Sequence, residues 1–189
     1  MTVLLSVATV VTYVGYRLYP MVTPADNSSG IDLPAQLPAV TLTDLDDQPV
    51  SITEFRGDPL IINFWATWCG PCLREIPLLK AVQDETPAIQ VVGIAVDHMD
   101  AVRAFAAEMA IDYPILVGQG DAMDAATQLG IEVFVLPSTV FTSADGVPIG
   151  IRVGEIHAEH IQNFATTVAA LDRGEIDLDT ARDRLAGLQ

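Results

Sequence analysis

A single lysine, Lys80, is found in the 189 residues of this chain. Nine basic side chains against twenty-five acidic ones leave a formal net charge of −16 at pH 7. A polyanion would be repelled by such a surface, so no nucleic-acid partner is expected, and adhesion to anionic lipid is equally disfavoured. The simplest meaning of the acidity is a solvated surface, and the sharper alternative is a docking face for a basic partner. Charge of any sign is scarce, at 18%, while 50% of the residues are hydrophobic, which excludes an intrinsically disordered chain. No internal repeat is visible, and the length supports one domain of ordinary size plus appendages. Cysteine is nearly absent too. A chain stapled by disulfides spreads its cysteines, whereas both of these lie in Trp68-Cys69-Gly70-Pro71-Cys72.

The N-terminus also lacks something. No basic residue precedes the uncharged run from Thr2 to Tyr16, and Arg17 follows it. The run sits at the short edge of what crosses a bilayer, and Tyr13, Tyr16 and Tyr19 suit a headgroup boundary. Residues 1–19 are therefore expected to be a membrane anchor or a cleaved signal segment, with a buried helix as a third option. Both leading options export the rest of the chain. Residues 20–33, rich in Pro, Ser, Asp and Gly, read as a linker.

Residues 34–172 carry the pattern of one α/β domain. Val40 to Leu42 and Val50 to Ile52 predict a small β-hairpin around a turn at 44–49. Pro59 to Trp65 is too uniformly apolar to have a wet face and reads as a buried strand. A helix follows from Cys69 to about Thr86, with apolar spacing at Leu73, Ile76, Leu79 and Val82 and a kink expected at Pro77. Ile89–Val96 and Tyr113–Val117 are further strands, Met99–Met109 and Asp121–Leu129 further helices. Ser138–Thr142 and Pro148–Val153 flank a turn at Ala144-Asp145-Gly146. Ala158–Leu171 closes the domain as a helix, and Glu175–Leu188 predicts a helical tail within 173–189. This order implies a central mixed β-sheet flanked by helices.

The chemistry follows from the C-x-x-C spacing. Two thiols one helical turn apart can close a small disulfide, and the first gains from the amides and dipole of a helix start. Cys69 is then the attacking thiol and Cys72 the resolving one. Zinc is the competing use of the pair, but His98, His157 and His160 lie at no ligand spacing from it. Glu75, three residues after Cys72, falls on the same helical face and, once buried, can exchange a proton with it; the alternative is a solvent-facing glutamate.

The run from Asn63 through Cys69-Gly70-Pro71-Cys72-Leu73-Arg74-Glu75 to Pro77 resembles the active-site segment of the TlpA/ResA-like branch of the thioredoxin superfamily, and the resemblance spans about residues 34–171. It implies a thioredoxin-like fold and an exported, membrane-tethered thiol–disulfide oxidoreductase. The family glutamate of C-x-x-C-x-x-E matches Glu75. Where cytosolic thioredoxins carry a buried aspartate this chain has Asn63, and an amide cannot relay a proton. Leu136-Pro137 matches the cis-proline loop that faces the dithiol in such folds. Trp68, Gly70, Pro71, Leu136 and Pro137 are thereby expected to meet substrate, with Trp65 in the core. The redox-active Cys69–Cys72 pair needs no bound cofactor and no metal.

The resemblance further implies cysteine-containing protein substrates, such as apocytochrome c or oxidase copper-site cysteines, and a membrane thiol donor on the periplasmic side. A periplasmic oxidase or isomerase differs only in potential, which Gly70-Pro71 does not fix. A peroxiredoxin-like peroxidase and a copper chaperone are weaker alternatives. Val135 to Thr139 lacks the Gly-x-Pro-Glu-Thr-Phe run of branches devoted to cytochrome c maturation. Asp97-His98, after the second central strand, reads most simply as a surface loop, with a loop bordering the site as the alternative, and His157 and His160 read as solvated surface residues.

Overall fold

The computed structural model describes residues 33–131 and 135–187. The expected anchor or signal segment and nearly all of the linker lie outside the described residues. Among the described residues, strands β1 (Thr41–Asp44), β2 (Pro49–Ser51), β3 (Leu60–Trp65), β4 (Gln90–Val96), β5 (Ile115–Gly118), β6 (Ser138–Thr142) and β7 (Pro148–Val153) form one sheet in the order β2-β1-β5-β4-β3-β6-β7. The sheet is mixed. β3 pairs parallel to β4 and β4 to β5, while the β1–β2, β1–β5, β3–β6 and β6–β7 pairs are antiparallel. The helices are α1 (Gly70–Glu85), α2 (Met99–Glu108), α3 (Gly120–Gln128), α4 (Ala158–Asp172) and α5 (Leu178–Ala186). Two β-α-β crossovers, through α1 and α2, build the parallel half.

Every residue of β3 is buried, because helices and loops cover both faces of the sheet. The two-residue alternation of a strand then divides its side chains between two cores. Ile61 and Trp65 join Ile76, Leu79, Val102 and Phe164 beneath α1, α2 and α4. Leu60, Ile62 and Phe64 join Leu42, Ile52, Ala122 and Ala126 on the opposite face, under α3 and the leading hairpin. Asn63 shares the face of Ile61 and Trp65, so the one polar side chain of β3 is aimed at the helix that carries the dithiol.

Several boundaries differ from the sequence expectation, each for a local reason. Ile52 leaves the second strand and opens a short 3₁₀ turn (Ile52–Phe55), because Ser51 and Glu54 close a reciprocal capping box around it. Tyr113 precedes β5 rather than opening it: Pro114 has no N–H for a ladder, and its carbonyl instead accepts from Gly93 at 2.9 Å. The last helix starts at Leu178, where Asp177 accepts from the Thr180 N–H at 2.8 Å. That helix packs against β7 and α4, with Ala181 and Leu185 fully buried. A Cβ placed on Gly150 would lie 2.9 Å from Leu185 Cβ, so glycine in β7 is what lets α5 approach. α1 continues through Pro77 as one helix.

Candidate active site

The site stands at the C-terminal end of β3. The antiparallel register Phe64↔Ser138 places Pro137 just beyond the pair, so the end of β3 that leads into the dithiol and the start of β6 emerge on the same edge of the sheet. Cys69 is the N-cap of α1, with Gly70 and Pro71 as its first helical residues. Helix N-termini leave backbone N–H groups unpaired, and Cys69 Sγ accepts one of them, from Cys72 at 3.3 Å. Proline in the first turn sacrifices no helical bond. Cys69 and Cys72 form a disulfide, with Cα atoms 5.3 Å apart. Cys69 retains 6% of its surface in solvent and Cys72 none, so the outer sulfur is the one a partner can reach. Trp68 beside it is 70% exposed, and a Cβ at Gly70 would meet no atom beyond its chain neighbours within 4 Å, so the first residue of α1 faces open space.

Behind the disulfide, Glu75 is 1% exposed, and two parts of the chain converge on it. Asn63 Nδ2 in β3 donates to Glu75 Oε1 at 2.7 Å and to Thr139 Oγ1 in β6 at 3.0 Å. The Ile156 N–H, after β7, donates to Glu75 Oε2 at 2.8 Å. Burial pushes the carboxyl up, the two hydrogen bonds pull it partly back, and Glu155 adds a small upward push; the result is a pKa of about 7. Tyr113, buried on the same face with no hydrogen-bond partner for its hydroxyl among the described residues, is raised by burial and by the Glu75 charge. The site therefore holds a carboxyl poised to gain or lose a proton near neutrality, three residues from the inner cysteine.

The Leu136–Pro137 peptide bond is cis. Pro137 is buried and its carbonyl accepts from Gly154 at 2.8 Å, while half-buried Leu136 packs against both cores. Val135, next in the loop, is 46% exposed. The structure thus brings Cys69, Cys72, Glu75, Trp68, Gly70, Pro71, Leu136 and Pro137 to one end of the sheet.

Two expectations for other residues are corrected. Asp97 is not a surface-loop residue: it is 9% exposed and its Oδ2 accepts from the Thr67 N–H at 3.0 Å and the Thr67 hydroxyl at 2.6 Å. Burial pushes the Asp97 carboxyl up, but the bonds from Thr67 and His98 outweigh it, so its pKa is lowered. The parallel register Trp65↔Ala95 explains the contact, since two more steps bring Thr67 opposite Asp97. His160 is buried rather than solvated, because its Nδ1 accepts from the His157 N–H at 2.8 Å and closes the first turn of α4. That is a capping box with histidine where glutamate is usual, so the ordinary signature does not reveal it.

Sequence reasoning also passed over Thr139, Ile156 and the Arg74–Glu155 pair, none of which carries a local motif. Among the described residues no three His, Cys, Asp or Glu side chains gather as a metal cluster.

A thioredoxin-like sheet with a dithiol capping α1 and a buried carboxyl behind it defines a thiol–disulfide oxidoreductase. Residues 34–147 match the AhpC/TSA family, and the chain belongs to it. The thioredoxin-like protein YneN of Bacillus subtilis (strain 168) is 30% identical over 158 residues, covering 80% of this chain and 88% of that protein. The thiol-disulfide oxidoreductase ResA of Geobacillus thermodenitrificans (strain NG80-2) is 27% identical over 135 residues, covering 69% and 75%. Among solved structures, a secreted thiol-disulfide isomerase from Corynebacterium glutamicum superposes with a TM-score of 0.63 at 25% identity, covering 70% of this chain and 84% of that one.

Proposed function

We propose that the protein is an extracytoplasmic disulfide reductase, held to the membrane by its N-terminal segment. Its substrates are the cysteines of exported proteins, such as apocytochrome c or an oxidase copper site, and a membrane thiol carrier supplies its electrons. The observation that carries the reading is the buried Glu75 carboxyl, raised to about 7, on the face of the helix that bears Cys72. Export is supported by the uncharged run from Thr2 to Tyr16 and by the likeness to a secreted protein.

The exchange proceeds in two displacements. The Cys69 thiolate attacks one sulfur of a substrate disulfide, forms a mixed disulfide, and releases the other substrate sulfur as a thiolate that takes a proton from water. The Cys72 thiol passes its proton to the Glu75 carboxylate and attacks Cys69 Sγ. The second substrate sulfur leaves as a thiolate and is protonated in turn by Glu75 or water. Substrate has gained two electrons, and the protein carries the Cys69–Cys72 disulfide.

Replacing Cys72 by serine removes the second displacement. A stable mixed disulfide on Cys69 should accumulate with the substrate and identify it by mass spectrometry; failure to trap any species would overturn the exchange mechanism. A reduction potential near the about −120 mV of strong dithiol oxidants would reassign the protein as an oxidase. The name of the Corynebacterium relative favours an isomerase as the second reading. Reshuffling of a scrambled disulfide substrate without net electron input would support that reading.

A further inference from the structure

Three consecutive residues after β7 touch three separate parts of the site. The Gly154 N–H donates to the carbonyl of Pro137, the Ile156 N–H donates to Glu75 Oε2, and Glu155 between them pairs with Arg74. The pairing is two-pronged: Arg74 Nε lies 3.1 and 3.2 Å from the two Glu155 oxygens, and Nη2 lies 2.5 Å from Oε2. Arg74 and Glu75 are neighbours on α1, as Glu155 and Ile156 are on the loop. An outer ion pair and an inner hydrogen bond thus join the same two stretches of backbone. Gly154, at φ +98°, takes a left-handed conformation that suits glycine and turns the chain into this approach.

We propose that Arg74 and Glu155 are positioning residues for the exchange reaction: their ion pair latches the 154–156 loop to α1 and thereby keeps the Ile156 N–H on the Glu75 carboxyl. The inference rests on the reading of Glu75 as the proton partner of Cys72. An exposed single ion pair ordinarily contributes little to stability, so the consequence lies in the site rather than in the fold. The fork geometry also suits guanidinium better than ammonium. Other titratable groups at this end are Cys72 on the same helix, Tyr113 ahead of β5, and His157 and His160 at the start of α4. Of these, Tyr113 is raised in part by the Glu75 charge, and Glu155 is lowered chiefly by its hydrogen bond from Arg74 and least by His157.

The test compares Arg74→Met, Arg74→Lys and Glu75→Gln with the parent in full-chain protein. Its readouts are the pH profile of disulfide-reduction rate and hydrogen exchange at the Ile156 amide. Arg74→Met weakens the bond that holds the Glu75 carboxyl down and leaves Glu155 uncompensated. Both effects act upward, so the inflection near neutrality should rise by about 0.5 to 1 pH unit. Exchange at Ile156 should quicken about threefold. Arg74→Lys, which keeps the charge but not the fork, should recover only part of both effects. If Arg74→Met leaves the inflection and the exchange rate at parental values while Glu75→Gln abolishes the inflection, the latch is wrong and the proton role stands. If Glu75→Gln keeps the parental inflection, the proton role is wrong; Ile156 exchange in Arg74→Met then decides the latch alone.

Discussion

Asn63 hands an amide N–H to Glu75 Oε1 at 2.7 Å, joining the central strand to the dithiol helix through one short contact. A carboxylic acid here would compete with Glu75 for charge, whereas the amide donates and stays neutral. Glu75 is thus left as the single ionisable group of the Asn63–Glu75–Thr139 network, and the pH behaviour of the site follows from its titration.

Burial holds the Glu75 proton to about pH 7, against 4.5 ordinarily, so the folded state binds more protons than the unfolded one between those values. Stability conferred by the neutral acid is therefore greatest below about pH 4.5, declines through the interval, and is gone above about pH 7. The full difference corresponds to about 3 kcal/mol. Urea denaturation of the oxidised protein between pH 5 and 8 should show this decline, and Glu75→Gln should flatten it. Parallel curves for parent and variant would count against a buried, titrating Glu75.

Asn63→Asp should place a second carboxyl against Glu75 and remove its donor. One proton then remains on the pair to higher pH, and the two groups titrate together. The exchange-rate inflection should move upward relative to the parent, and the protein at pH 8 should lose about 2 to 4 kcal/mol of stability. Rate profiles and denaturation at pH 6 and 8 measure both effects.

Asp97 anchors Thr67, two residues ahead of the Cys69 cap, through two hydrogen bonds. Asp97→Asn keeps one acceptor, which can hold both Thr67 donors, but turns its amide donor toward the His98 N–H that Asp97 Oδ1 accepts at 2.7 Å, which should cost about 1 to 3 kcal/mol. The folded Asp97 pKa is lowered, so its contribution is present above the unfolded carboxylate range and disappears as the pH falls through the folded value. The stability gap between parent and Asp97→Asn should accordingly narrow on acidification below about pH 4.

Trp68→Ala removes a side chain that is 70% exposed, so stability should change by less than about 0.5 kcal/mol. Loss of an aromatic contact surface beside Cys69 should raise KM for a protein disulfide several-fold and leave turnover of a small disulfide unchanged. Equal losses on both substrates would place Trp68 in the chemistry rather than in docking.

The elements legible in the sequence are those whose signal is local. The apolar run into Cys69, the helix after it, the flanking hairpins and the i, i+3 relation of Cys72 to Glu75 each need only a few neighbouring residues. The partners of Glu75 are not local: Ile156 lies 81 residues away, and Thr139 lies 76 residues from Asn63. They meet because β6 inserts beside β3 and β7 beside β6, a strand order that periodicity cannot report. Asp97 was misread for the same reason, since only the β3–β4 register sets it opposite Thr67. His160 escaped because burial of a helix-capping histidine resembles a solvated one at the level of residue type.

The amine of Lys80 is committed to the carbonyl of Met109 at 3.0 Å and is only partly accessible. No other lysine exists in the chain. Acylating reagents and amine-directed cross-linkers thus find one occupied side-chain target, while thiol-directed probes applied to the reduced protein find Cys69, the more accessible of the two sulfurs. Labelling, immobilisation and capture all report on the redox centre: any covalent handle placed through sulfur is also an active-site titration.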